Sequence, residues 1–227
     1  MTISTSTSSR PHGPKRRLMI VDDHPIVRRG LAELLARELD VEVCGGADNV
    51  ADAMVEVETL HPDLVVVDMS LRDSHGIELI TQIAERWPDV KTIAWSMFDE
   101  KVFAERAVQA GAMGYLNKKE PIENVVQAIR QVFAGDMYLS PRMTQRLLRR
   151  ACGGVKAEDD PIQSLSDREL QVFEMLGRGM TTKEIATKLD LSPKTVEAHR
   201  EKIKAKLDLA NAAALSRRAV LWVLENG

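Results

Sequence analysis

Five short apolar runs punctuate the first half of the chain: LMIV (18–21), VEVCG (41–45), LVVV (64–67), TIAW (92–95) and GYL (114–116). Between them, residues 25–39, 50–60, 76–86, 100–110 and 121–134 place apolar side chains at helical spacing, as with Leu31, Leu34, Leu35 and Leu39. The runs are continuous rather than alternating, the pattern of strands buried on both faces. Such strands, separated by helices, form a parallel, doubly wound α/β sheet with right-handed crossovers. A sheet of this class builds its site outside the carboxyl ends of its strands.

The residues at the carboxyl end of each run are therefore informative. Asp22 and Asp23 end the first, Asp68 directly succeeds the third, Ser96 closes the fourth, and Lys118 lies just past the fifth. Any one of these alone reads as a solvated loop residue. Together they put three carboxylates, a hydroxyl and an ammonium on one edge. Like charges beside an apolar run are costly without a cation, and clustered carboxylate oxygens suit Mg²⁺. A lysine and a hydroxyl there can pair with phosphoryl oxygens. An aspartate can itself accept a phosphoryl group as an acyl phosphate.

The second half has a different character. Residues 138–163 read as a linker with a short amphipathic helix at 141–151, then Gly153, Gly154, an acidic run and Pro161. From 164 the pattern is wholly helical. SDRE (166–169) and TTKE (181–184) are capping boxes, and Ser192 caps a helix with Pro193 at its first position. Helices are expected to begin near 167, 182 and 193, with a fourth over 211–224. The very short LDLS connection between the second and third is helix-turn-helix geometry, with the third helix free to enter a major groove.

Charge divides the same way. Residues 17–137 carry 12 Lys/Arg against 22 Asp/Glu, whereas 164–227 carry 11 against 9. An acidic half beside a mildly basic one implies two domains with different partners. No apolar stretch approaches the ~18 residues of a membrane helix. Residues 1–16 lack an apolar core and read as a disordered tail rather than a secretory signal. Cys44 and Cys152, far apart and forming no CxxC, point to free thiols in a reducing cytoplasm.

These motifs carry a resemblance. IVDDHPIVRRGL, VVVDMSLRDSHGIEL, AWSMFDE and GAMGYLNKKE resemble the receiver domain of bacterial two-component response regulators. LSDRELQVFEMLGRGMTTKEIATKLDLSPKTVEAHREKIKAKL resembles the LuxR-type DNA-binding domain, and the combination is similar to the NarL/FixJ group of transcription factors. The resemblance implies a five-stranded receiver with strand order 2-1-3-4-5 over 17–137 and a helix-turn-helix domain over 164–227. It makes Asp68 the phosphoacceptor of a partner histidine kinase. Asp23 becomes a direct Mg²⁺ ligand with Asp68 and the main-chain carbonyl of Ser70, and Asp22 acts through metal-bound water. Lys118 would contact the phosphoryl group, Ser96 would swing to hydrogen-bond it, and Tyr115 would follow. Such a protein is no turnover enzyme, but it promotes its own dephosphorylation. Phosphorylation is expected to free the DNA helix or expose a dimer face.

On the helix 193–207, the apolar Val196, Ile203 and Leu207 face the core, which leaves Glu197, Ala198 and Glu201 outward, at the usual base-facing positions. Lys183, Lys194, Thr195, Lys202 and Lys204 complete the expected contacts to double-stranded DNA, made as a homodimer. The two acids can equally form surface pairs with Arg200 and Lys204. The chain departs from the family at Arg72, often proline, and at Phe98, often histidine. Asp190 and Asp208 stand where glycine is common, which predicts a slightly less stable domain of unchanged topology. An Mg²⁺-dependent phosphohydrolase also uses a nucleophilic aspartate in such a sheet, but its DxDx loop is not matched by the MSL after Asp68. The complete acidic edge argues against a regulator that works without phosphorylation.

Overall fold

The computed structural model of the chain describes residues 15–71, 76–97, 100–151 and 161–226. Arg72, Phe98 and the linker residues 152–160 lie outside them, as do residues 1–14. Strands β1 (Arg16–Val21), β2 (Val41–Ala47), β3 (Leu64–Asp68), β4 (Lys91–Ser96) and β5 (Gly114–Asn117) pair in parallel in the order β2-β1-β3-β4-β5. Helices α1 (Pro25–Leu35), α2 (Val50–Leu60), α3 (Gly76–Arg86), α4 (Glu100–Gln109) and α5 (Ile122–Ala134) succeed the strands in turn.

The continuous apolar runs are explained by two covered faces. Leu18, Ile20, Leu64, Val66, Ile93 and Leu116 pack with Leu31 and Leu35 of α1 and Val125 and Ile129 of α5. Their strand neighbours Met19, Val21, Val65, Val67 and Ala94 join Val57, Ile83 and Phe103 of α2, α3 and α4 on the other face. Alternate residues of each strand thus enter opposite cores, and neither set can be polar.

The first helix is shorter than its spacing suggests. It stops at Leu35, and Leu39 is 66% exposed. The chain has to turn back at this point, because the amide of Arg16 donates to the Asp40 carbonyl at 2.9 Å where β1 and β2 begin to pair.

Helix α6 (Pro141–Ala151) precedes the helical half, which comprises α7 (Asp167–Gly177), α8 (Thr182–Lys188), α9 (Pro193–Lys206) and α10 (Ala212–Asn226). Both capping boxes form, with the Ser166 and Thr181 amides donating to Glu169 at 2.8 Å and Glu184 at 2.7 Å. Ser192 caps α9 by accepting from the Thr195 amide at 3.0 Å. Trp222 is buried against Phe173, ring centres 5.7 Å apart.

Asp190 and Asp208, in the α8–α9 and α9–α10 turns, have φ of 51° and 50°. A residue with a Cβ is disfavoured there by about 1–2 kcal/mol, less for aspartate. Asp208→Gly should therefore raise stability by up to about 1 kcal/mol, read as a higher denaturation midpoint at unchanged m-value.

Helix α7 is covered along most of its length: residues 169–176 are all buried, Gln171 and Glu174 included. A helix covered all round is sandwiched. One side meets α9 and α10, and the other meets the receiver, so one apolar cluster runs from Met69 and Leu71 to Leu170, Phe173 and Ile185. Arg106 of α4 fastens this contact by donating to the Asp167 carboxylate at 2.7 Å and the Leu165 carbonyl at 2.9 Å. Gln171 Nε2 donates to the Met69 carbonyl at 3.4 Å.

Candidate functional site

Asp22, Asp23, Asp68 and Ser96 are 0%, 8%, 1% and 0% exposed at the carboxyl edge of β1, β3 and β4. Lys118, just past β5, reaches Asp22 at 2.5 Å and Asp68 at 2.8 Å. The structure therefore gathers the five residues expected at this edge. Ser70 joins them, its amide donating to Asp68 Oδ1 at 3.1 Å. Tyr115 is 2% exposed within the cluster containing Phe103 and Ala107.

Three residues are not evident from the sequence. His24 accompanies the acids, with Nδ1 2.6 Å from Asp23 and 3.3 Å from Asp22, and its amide donates to Asp22 Oδ1 at 2.8 Å. Arg28 donates to the Asp22 carbonyl. The Lys118 ammonium lies 5.2 Å from the centre of the Trp95 ring. The signal for His24 is its place before Pro25, where a helix begins and the chain folds back over its own strand end.

The electrostatics are those of crowded acids. Burial pushes the Asp68 carboxyl up to about 6; Lys118 opposes that shift and Asp22 adds to it. Burial would lower the Lys118 ammonium, but Asp68 and Asp22 outweigh it and hold the group above its usual value. One ligand atom from each of Asp22, Asp23, His24 and Asp68 falls within 4.8 Å of the others. Three buried carboxylates against one ammonium leave excess negative charge among hard oxygen donors, a set that fits a divalent cation such as Mg²⁺.

In the helical half, Lys183, Lys194, Glu197, Ala198, Glu201 and Lys202 are exposed, Thr195 and Lys204 partly so, while Val196 and Ile203 are buried. Glu201 pairs with Lys204 at 2.9 Å. Glu197 is held from two helices: Thr182 of α8 donates to its Oε1 at 2.6 Å and Arg200 donates to the same oxygen at 3.0 Å.

Residues 18–130 match the response regulator receiver domain, and residues 163–219 match the bacterial regulatory proteins of the luxR family. Response regulator GacA of Pseudomonas aeruginosa is 37% identical over 204 residues, 90% of this chain and 95% of its own length. The chain belongs to the LuxR-type response regulators. A LuxR-family response regulator from Aurantimonas sp. is 32% identical with a TM-score of 0.56, the match covering 61% of this chain and 99% of that one. RcsB of Salmonella enterica serovar Typhimurium, solved bound to a promoter with a phosphomimetic, shares the fold at 24% identity and a TM-score of 0.58, over 90% of this chain and 98% of that one. This response regulator is thus a two-component transcription regulator that joins a receiver to a DNA-binding domain. Among the described residues, no helix is long and apolar enough to cross a membrane.

Proposed function

We propose that Asp68 is the phosphoacceptor and that its phosphoryl group comes from a sensor histidine kinase. The observation that carries this reading is one buried edge on which Asp68 lies 2.8 Å from Lys118 with Asp22 and Asp23 beside them. A carboxylate oxygen of Asp68 attacks phosphorus as the phosphorus–nitrogen bond of phosphohistidine breaks. The imidazole leaves with the electron pair and takes up a proton. Lys118 holds the phosphoryl oxygens, the Ser96 hydroxyl donates to one of them, and Tyr115 fills the space behind Ser96. Asp23, Asp68 and the main-chain carbonyl of Ser70 would hold Mg²⁺, with Asp22 alongside; bound there, the ion neutralises carboxylate and phosphoryl charge. The same constellation positions water for hydrolysis of the acyl phosphate, so the chain speeds its own dephosphorylation.

The working units are a receiver over 17–137, a linker over 138–163 and a DNA-binding domain over 164–227, acting in the cytoplasm. Helix α9 enters the major groove of double-stranded DNA, and a homodimer places two copies on half-sites about one helical turn apart. Lys183, Lys194, Lys202 and Lys204 contact phosphates, and Thr195, Glu197, Ala198 and Glu201 face the bases.

Acetyl phosphate with Mg²⁺ should add one base-labile phosphoryl group, seen by intact mass, to the wild-type chain and none to Asp68→Asn. Full labelling of that variant sinks the assignment. Asp23→Ala should lose the dependence on Mg²⁺.

A further inference from the structure

The docked helical domain covers the acceptor and not the reading helix. The outer face of α9, with Lys194, Glu197, Ala198 and Glu201, is open to solvent. Freeing that face is therefore not what parting the domains achieves. Instead, a cavity of about 320 Å³ has Asp68, Lys118 and Ser70 on one side and Lys188, Leu189 and Asp190, from the end of α8, on the other.

We infer that residues 187–190 form a wall of the phosphoryl-acceptor site and select the phosphoryl donor by size. The inference rests on the proposed role of Asp68. Residues 187–190 line this cavity together with Asp68 and Lys118, so a donor helix, ~10–12 Å across with its side chains, has to compete with the end of α8 for the approach to Asp68. A small acyl phosphate or monophosphoimidazole fits that space beside Asp68. A phosphohistidine carried on a helix of a kinase does not, unless α8 withdraws.

The wall is braced rather than loosely laid. Arg168 donates to the Leu189 carbonyl and to Gln171 Oε1, both at 3.1 Å. Gln171 in turn donates to the carbonyl of Met69, the residue after Asp68, at 3.4 Å. A hydrogen-bonded chain thus runs from the acceptor strand to the end of α8. The pair of Arg106 with Asp167, 16% and 22% exposed, fastens the domains outside the cavity. Transfer from a protein donor then scales with the fraction of undocked chain, and transfer from a small donor does not.

The two donors to compare share one leaving group: monophosphoimidazole, and the phosphorylated transmitter fragment of a sensor kinase that labels the wild-type chain measurably. In both reactions the phosphorus–nitrogen bond breaks, Asp68 oxygen bonds to phosphorus, and imidazole leaves and is protonated. Arg106→Ala and Asp167→Asn break the same pair from opposite sides. Each should raise the second-order rate from the kinase fragment by about tenfold, the effect of losing one charge-assisted bond. The rate from monophosphoimidazole should change by less than about twofold, since the docked chain already admits it. Equal acceleration of both donors, or of neither, overturns the inference. A misfolded variant would lose the monophosphoimidazole reaction, an outcome that cannot mimic the predicted split. Failure of monophosphoimidazole to label a wild-type chain that the kinase fragment labels would likewise overturn the inference, whereas labelling of Asp68→Asn by both donors would instead remove Asp68 as acceptor.

Discussion

Replacing Asp68 with asparagine should stabilise the metal-free protein while abolishing its phosphorylation. The carboxyl titrates near 6 in the folded chain because burial and Asp22 together outweigh Lys118. In the unfolded chain it titrates near its ordinary value, 3.8. Between those values the native state holds more protons than the unfolded one, so stability falls as pH rises through the window and levels off above it. Asparagine removes that fall. Wild type and variant should be equally stable at about pH 4, and the variant should lead by about 1–3 kcal/mol at pH 7.5 in chelator. Lys118 keeps Asp22 at 2.5 Å, so the variant does not strand the ammonium. Adding Mg²⁺ should narrow the gap, because the ion stabilises only a chain that binds it, by about 2.7 kcal/mol at a hundred times its dissociation constant. Denaturant titrations at the two pH values, with and without Mg²⁺, decide this. A variant less stable than wild type at pH 7.5 in chelator would mean that Asp68 is satisfied by its partners, and the strained-acid reading would fall.

The sheet and the acidic edge are legible in the sequence because the sheet rests on a local pattern repeated five times and the edge on residues at four of those strand ends. A strand buried on both faces has to be continuously apolar, and a site at the strand ends has to come directly after those runs. Val65, Val67 and Asp68 obey both demands within four residues. Leu39 misleads because helical spacing does not record where the chain must reverse to start a strand pair. The sandwiching of α7 is not legible at all. Gln171 and Glu174 are polar, yet both are buried, the first donating to the Met69 carbonyl and the second pairing with Arg178 at 2.6 Å. The Met69 partner is far off in the sequence, where spacing within one helix cannot show it, whereas Arg178 stands four residues after Glu174 and is a pairing that spacing does supply. His24 and Arg28 are hidden for a similar reason: each acts on Asp22 through backbone geometry at the start of α1, not through a recurring pattern.

The largest effect expected on DNA recognition belongs to Glu197, which spacing alone does not separate from Glu201. Both carboxylates are on the outer face of α9, but they differ in how they are held. Glu201 is 68% exposed and pairs with Lys204 of its own helix. Glu197 is clamped across two helices by Thr182 and Arg200, and Arg200 also donates to the Thr182 hydroxyl at 2.6 Å. A side chain already fixed gives up less rotamer freedom on binding, about 0.5–1.5 kcal/mol for one that is not. If Glu197 accepts from a cytosine N4, Glu197→Ala should lose about 1–3 kcal/mol of discrimination at a single base pair. Affinity for unrelated DNA should rise, since one negative charge near the phosphates has gone. Thr182→Val should blur the same base pair by a smaller amount, because it loosens the clamp and keeps the carboxylate. Lys194→Ala should weaken all sequences alike and lower the salt slope by about 1, the mark of a phosphate contact. Selection from a randomised half-site library separates these outcomes. An unchanged preference in Glu197→Ala with a changed one in Glu201→Ala would give the reading role to the more mobile acid and make the clamp a purely structural tie between α8 and α9.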